Sequence, residues 1–138
     1  MPPPMPPDEL EPRRPIGAVV WRARDCGTGA DDLGCRESRD GFLAVDAATF
    51  GGLKSVVRSE RNELSRRDLA VQALGSGYLT ARQLLWLLDQ IGNELTRLDL
   101  ARQLVARVID PQRAISYAAR FNNSFNRRDF LELLQPAQ

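Results

Sequence analysis

Few residues in this 138-residue chain have the type and spacing to do chemistry. There is no histidine, which removes the commonest general base and the commonest metal ligand together. The two cysteines, Cys26 and Cys35, cannot complete a four-ligand zinc site by themselves, so no metal site is expected. The eight residues between them, Gly-Thr-Gly-Ala-Asp-Asp-Leu-Gly, are turn formers suited to closing a short loop by a disulfide. A bridge is the expectation, with free cytosolic thiols as the alternative. The bridge implies an exported protein, periplasmic or at the cell surface, and free thiols imply the cytoplasm. Arg66, Arg97 and Arg127 recur at matched places and are candidate binding residues, a ladder of guanidinium groups facing an anionic partner. The structural alternative, and the favoured one, is an inter-repeat ion pair with Asp68, Asp89 or Asp99. Trp86 stands where the other repeats carry Ser55 and Ser116. It is either buried beneath residues such as Val19, Val20 and Trp21 or exposed as an interface anchor, and burial is the expectation.

Those arginines must be positioned by something, and the chain says the same phrase three times. Asn62-Glu-Leu-Ser-Arg-Arg-Asp-Leu69 returns as Asn93-Glu-Leu-Thr-Arg-Leu-Asp-Leu100 and, more loosely, as Asn123-Ser-Phe-Asn-Arg-Arg-Asp-Phe130. Steps of about thirty residues fall within the range of stacked repeat units. Ser65, Thr96 and Asn126 are suited to N-cap a helix, with Asp68, Asp99 and Asp129 at the third helical position. Flanking pairs, Leu64 with Leu69, Leu95 with Leu100 and Phe125 with Phe130, have the spacing of hydrophobic staples. This placement puts the three arginines at the first helical position, where a cation opposes the helix dipole. Thirteen residues before each Asn stand Thr49, Thr80 and Asp110, again cap residues, with Pro111 tolerated after the last.

Each repeat therefore reads as two helices, and the chain as all-α. Three tandem helix-turn-helix hairpins, about six helices, follow an extended N-terminal arm. First helices are expected at about 50–60, 81–91 and 111–121, and second helices at about 66–74, 97–108 and 127–135. Gly92 and Asn122 suit a left-handed residue at the turn within a pair, and Arg61 does not. Leu84-Leu85-Trp86-Leu87-Leu88 is apolar without a break, as suits the central member of a stack.

The organisation is then a proline-rich linker over 1–15, an arm with the cysteine-closed loop over 16–46, and the helical repeats over 47–135. Seven of the nine prolines lie in the first fifteen residues, favouring an extended polyproline-like tether. Pro4 with Pro7 and Pro12 with Pro15 each have PxxP spacing, a pattern common by chance in such segments. Ile16 to Trp21 is a short apolar run, a strand or a strip lying on the helices. Asp25, Asp31 and Asp32 lack the alternation of a calcium loop and read as solvated turn residues. The start of the chain lacks the basic and apolar regions of a signal peptide, and no apolar run reaches eighteen residues, so membrane insertion is not expected.

The stretch from about Asp46 to Leu134 resembles the domain-of-unknown-function family numbered 4476. The resemblance rests on Tyr78-Leu-Thr-Ala-Arg-Gln-Leu-Leu85, the Asn-Glu-Leu-Thr-Arg-Leu-Asp phrase, Val108-Ile-Asp-Pro-Gln112 and the closing Phe121 to Leu134. It implies a compact helical domain of bacterial proteins, often exported and often behind a low-complexity or proline-rich lead, and it carries over no catalytic or ligand residue.

A net charge of +1 gives no global attraction to nucleic acid or membrane. Lys54 is the only lysine among nineteen basic residues, which reflects coding bias rather than RNA binding. Once serines, threonines and aspartates are assigned to caps, no catalytic constellation and no cofactor site remain. The expected function is a non-enzymatic protein-interaction or scaffold module with a protein partner. The alternative is a small ligand-binding protein or hydrolase with its site between arm and helices.

Overall fold

The computed structural model describes residues 24–136. The proline-rich linker and the Ile16–Trp21 run lie outside them. Helices α1 (Ala47–Arg58) and α2 (Glu63–Leu74) form the first repeat, and α3 (Ala81–Asp89) and α4 (Glu94–Leu104) the second. The third pairs a 3-10 helix, Pro111–Arg120, with α5 (Ser124–Leu133). The expected all-α fold of three helical pairs is present. It is supplemented by a two-residue-per-strand hairpin, β1 (Ser38–Arg39) with β2 (Phe42–Leu43), in register Ser38 to Leu43 and Arg39 to Phe42. Asp40 and Gly41 join the strands at φ +56° and +84°, the backbone that a two-residue turn matching strand twist requires.

The second helix of each repeat begins three residues earlier than the sequence suggested. Asn62, Asn93 and Asn123 are the caps; their side-chain oxygens accept from the amides of Ser65, Thr96 and Asn126 at 3.0, 3.0 and 3.1 Å. Ser65, Thr96 and Asn126 therefore receive the cap rather than provide it. A three-residue slip turns a helix by about 60°, so the apolar periodicity fits both placements nearly equally well. The slip breaks the expected staples: Leu100 and Phe130 are buried, while Leu64, Leu95 and Phe125 are exposed.

Among first helices, Asp46 rather than Thr49 caps α1, accepting from the Thr49 amide at 2.7 Å. Thr80 caps α3 as expected, in a reciprocal box with Gln83 at 3.0 and 2.9 Å. Asp110 does not cap its own helix. Its carboxylate crosses to the Ala81 amide at the start of α3, 2.7 Å away, and the segment behind it winds as a 3-10 helix opening on Pro111.

The core runs through all three repeats: Phe50, Leu53 and Val57, then Leu84, Leu87 and Leu88, then Tyr117, Phe121 and Phe130. Of the unbroken apolar run in α3, Leu85 and Trp86 are only partly buried. Second helices α2, α4 and α5 lie side by side in register, since Glu63 at the start of α2 bonds the amides that lead into α4. On the opposite rim the linkers between repeats are laced together. The Val45 amide donates to Tyr78 O at 2.9 Å, Leu79 to Arg107 O at 2.9 Å, and Ile109 to Leu79 O at 2.8 Å. No helix among the described residues is long and apolar enough to cross a membrane.

Candidate functional site

The rim carrying the turns within repeats shows where each part of the phrase goes. With the helix starting at Glu63, Glu94 or Ser124, the arginines sit at the fourth helical position, not the first. Their amides make the opening helical bonds, to Asn62 O, Asn93 O and Asn123 O at 2.9, 2.9 and 3.0 Å. The dipole conflict expected at the first position is thus relieved.

Their guanidinium groups turn back onto carbonyls at the end of the preceding helix, which helix geometry leaves without partners. Arg66 donates to Glu60 O at 2.6 Å and, across repeats, to Gln90 O at 2.8 Å. Arg97 donates to Ile91 O at 2.7 and 2.9 Å and to Leu88 O at 3.2 Å, and lies 5.9 Å from the ring centres of Tyr117 and Phe121. Arg127 donates to Phe121 O at 2.9 Å. The expected ion pairs with Asp68, Asp89 and Asp99 belong instead to neighbouring arginines: Arg67 meets Asp68 and Asp99 at 3.0 and 3.3 Å, and Arg120 meets Asp89 at 3.1 Å.

The acidic residue after each Asn acts between repeats. Glu63 accepts from the amides of Gly92 and Asn93 at 2.7 and 3.1 Å. Glu94 accepts from the amides of Asn122 and Asn123 and from the Asn126 side chain. These bonds hold both carboxyls below their ordinary range, the Gly92 amide contributing most for Glu63 and the Asn122 amide for Glu94. The first turn has no preceding repeat, and Glu60 substitutes, accepting from Arg61 and Asn62 at 2.9 and 3.3 Å. The third repeat carries Ser124 in place of Glu. With amides held by carboxylates and carbonyls by arginines, the turns need no left-handed residue. Gly92, Asn122 and Arg61 all have ordinary φ, so Arg61 is no misfit.

One part of the phrase stays at the surface, with Arg128 lying 5.3 Å over the Phe125 ring. Leu64, Leu95 and Phe125, at the second helical position, are 52%, 67% and 66% exposed. The adjacent Asn62, Asn93 and Asn123 are exposed too. Their side-chain NH2 groups donate to nothing among the described residues.

The cysteine loop covers the opposite rim. Cys26 and Cys35 are fully buried with sulfurs 1.93 Å apart, at disulfide distance. The buried Gln83 amide donates to Cys26 O and Val45 O at 2.6 and 3.3 Å, and Arg24 donates to Cys35 O and Ala44 O. Asp32, expected to be a solvated turn residue, is 3% exposed; it accepts from the Gly34 amide at 3.0 Å and from the Thr28 hydroxyl. Between loop and helices lies a cleft of about 260 Å3 lined by Asp31, Asp32, Leu33, Arg82, Leu85, Asp110 and Arg113. Its cations are already paired, Arg82 with Asp31 at 2.9 Å and Arg113 with Glu37 and Asp110 at 2.9 Å each. No Ser, Thr or Cys nucleophile lines it.

Trp86 is half-buried, edge-on to Phe50 at 6.0 Å, with Lys54 and Arg58 over its ring at 5.6 and 5.1 Å. Packing by Val19, Val20 and Trp21 lies outside the described residues. The arginine ladder and Trp86 are therefore not brought together into one site. Comparison with protein families, curated proteins and solved structures finds no match to this chain.

Proposed function

We propose that this chain is a non-enzymatic protein-interaction module that binds through the rim formed by the three turns within repeats. One observation carries the reading: the phrase keeps an apolar residue at the second helical position three times, and each time it is exposed. Caps by the Asn residues, bonds of the Glu and Arg side chains to turn backbone, and burial of Leu100 and Phe130 explain the recurrence of those letters by stability. Leu64 and Leu95 have no such explanation and Phe125 has only a surface contact with Arg128; exposed apolar side chains repeated along one rim mark an interaction site. The partner is a protein segment, since the net charge of +1 offers no electrostatic drive toward nucleic acid. No cofactor is invoked. The buried Cys26–Cys35 pair supports an oxidising compartment.

The test is the triple variant L64S/L95S/F125S beside the unmodified chain, both used in chemical cross-linking capture from the source cells. Surface changes of this kind shift stability by only about 0.5 kcal/mol each. The variant is expected to keep its fold and to lose the captured partner. Retention of the same partner would sink the reading. The cleft between loop and helices supports a second reading, a small-ligand site, because it is concave and lined by charged groups around Leu33 and Leu85. An anionic ligand there would have to displace Asp31 from Arg82.

A further inference from the structure

We infer that Cys26, Cys35 and Asp32, with the Thr28 hydroxyl at the fourth corner, form a Zn2+ site once the cysteine pair is reduced. The site lies in the covering loop and is independent of the rim of turns. Cys26, Cys35 and Asp32 are 0%, 0% and 3% exposed, and their donor atoms all lie within 4.8 Å of one another. The Thr28 hydroxyl stands 3.8 Å from Cys26 Sγ and 3.9 Å from Cys35 Sγ, and donates to Asp32 Oδ2. Asp32 Oδ2 is itself 3.9 Å from Cys26 Sγ. Tetrahedral zinc bonds sulfur at about 2.3 Å and oxygen at about 2.0–2.2 Å, so its donors stand roughly 3.3–3.8 Å apart. Three edges of that tetrahedron are thus nearly in place. Opening the S–S bond lets the sulfurs rotate apart to make another, and the Thr28–Asp32 hydrogen bond gives way to the ion.

A disulfide by itself asks for no carboxylate beside it. Asp32 caps the 3-10 turn Leu33–Arg36 through Oδ1, which accepts from the Gly34 amide at 3.0 Å. Its Oδ2 is left to the Thr28 hydroxyl and the sulfurs, and no Arg or Lys pairs with it among the described residues. A buried carboxylate without a cation is costly, and a divalent ion shared with two thiolates offsets that cost. Asp32 and Cys35 are separated by two residues, as zinc ligands on one tight turn commonly are, and the Cys35 amide donates to Asp32 O at 3.1 Å. Two thiolates favour zinc over magnesium or calcium. Asp32 also lines the cleft between loop and helices, which gives the ion a way in.

The step is thiol–disulfide exchange with a dithiol reductant as the loop opens locally. Two electrons and two protons pass to the sulfurs, the Cys26–Cys35 bond breaks, and the reductant leaves as its own disulfide. Zn2+ then takes both sulfurs as thiolates, and the two thiol protons go to solvent. The loop is thereby closed by a covalent bond when oxidised and by a metal when reduced.

The experiment titrates the metal-free full chain, oxidised or held reduced by a phosphine, with Zn2+ and separately with Co2+ as a spectroscopic stand-in. The reduced chain should bind one Zn2+, show thiolate-to-metal absorption with Co2+, and recover the melting temperature that reduction lowers. The oxidised chain should bind none at this site. Asp32→Asn keeps an oxygen for the Gly34 amide, so its oxidised form should fold as the parent does. Its reduced form should bind Zn2+ at least about tenfold more weakly. The Gln83 side-chain NH2 resonances report the bond to Cys26 O, and should match between the zinc-loaded and oxidised chains. Absence of zinc uptake by the reduced chain would overturn the inference, as would equal uptake by the oxidised chain. Uptake that Asp32→Asn leaves unchanged would overturn it too, because two loose thiols would then be gathering the ion without the buried carboxylate.

Discussion

The two rims of the helical array are both built from loops between helices, yet they are finished in different ways. On the rim of inter-repeat linkers, Tyr78, Leu79 and Ile109 are tied by backbone bonds, and residues 24–46 are laid over the top. Arg39 reaches Val105 O and Val108 O at 3.1 and 2.7 Å, Gln83 reaches Cys26 O, and the cysteine pair closes the covering loop. Gly34 shows how close the cover comes: a Cβ built there would stand 2.6 Å from an oxygen of the buried Asp110 carboxylate. Among the described residues, no loop is laid over the rim of intra-repeat turns. Its backbone is satisfied by its own side chains, Arg66, Arg97 and Arg127 on carbonyls and Glu60, Glu63 and Glu94 on amides. A rim that needs no lid for its polar groups can leave apolar residues outward for another purpose. That difference locates the candidate binding face.

The largest expected effect lies on the covered rim. A disulfide closing a loop of ten residues removes about 2–3 kcal/mol of unfolded-chain freedom. C26S/C35S should lower unfolding stability by that amount in urea titration, and reductant should bring the unmodified chain down equally. A variant as stable as the parent would mean that side-chain anchors alone hold the cover, and would erase this contrast between the rims.

On the open rim the arginines should rank by burial. Arg97 is half-buried between carbonyls and the rings of Tyr117 and Phe121, whereas Arg127 is exposed. Hydrogen bonds from a charged donor contribute about 1.5–3 kcal/mol. Arg97→Ala is expected to cost about 2 kcal/mol and Arg127→Ala about 1 kcal/mol or less, measured by thermal and urea unfolding. Equal losses would show that the backbone caps matter and the ring contacts do not.

How much of this could be read from the letters depends on the type of interaction. The three helical pairs were legible because apolar spacing and recurrent cap residues both report local structure. The exact starts were not, because Asn62 and Ser65 can both cap, and a helix slipped by three residues buries nearly the same face. The next residue held a usable signal: Glu63 and Glu94 each follow an Asn and reach the turn of the next repeat, where the third phrase has Ser124. The cross-repeat reach of Asp110 to Ala81 and the burial of Asp32 carried no local signature. Asp110 finds Ala81 only after the chain has folded over itself, whereas Asp32 bonds its near neighbours Gly34 and Thr28 and is buried by the close of its own loop. The exposed row was hidden by the ambiguous starts, since Leu64, Leu95 and Phe125 look like staples until the start of each helix is known.

The smallest effect separates the two kinds of polar support on the open rim by pH. Glu63 and Glu94 accept amides from the following repeat, and both carboxyls titrate below their ordinary range for that reason. Depressed folded-state values mean that these groups stabilise the fold above the unfolded carboxyl pKa, about 4.3. That contribution disappears as pH falls through the lower folded-state values. Both groups are close to solvent, so the effect should be smaller than that of Arg97. E63Q/E94Q should melt slightly below the parent at pH 7, with the two curves converging as pH drops below 4. Arg97→Ala leaves both carboxylates and their amide partners in place, so it should remain offset from the parent in the same series. If E63Q/E94Q tracked the parent at every pH, the inter-repeat carboxylates would be surface ornaments, and coupling between repeats would rest on the core, the linker rim and the cross-repeat bonds of Arg66 and Arg67.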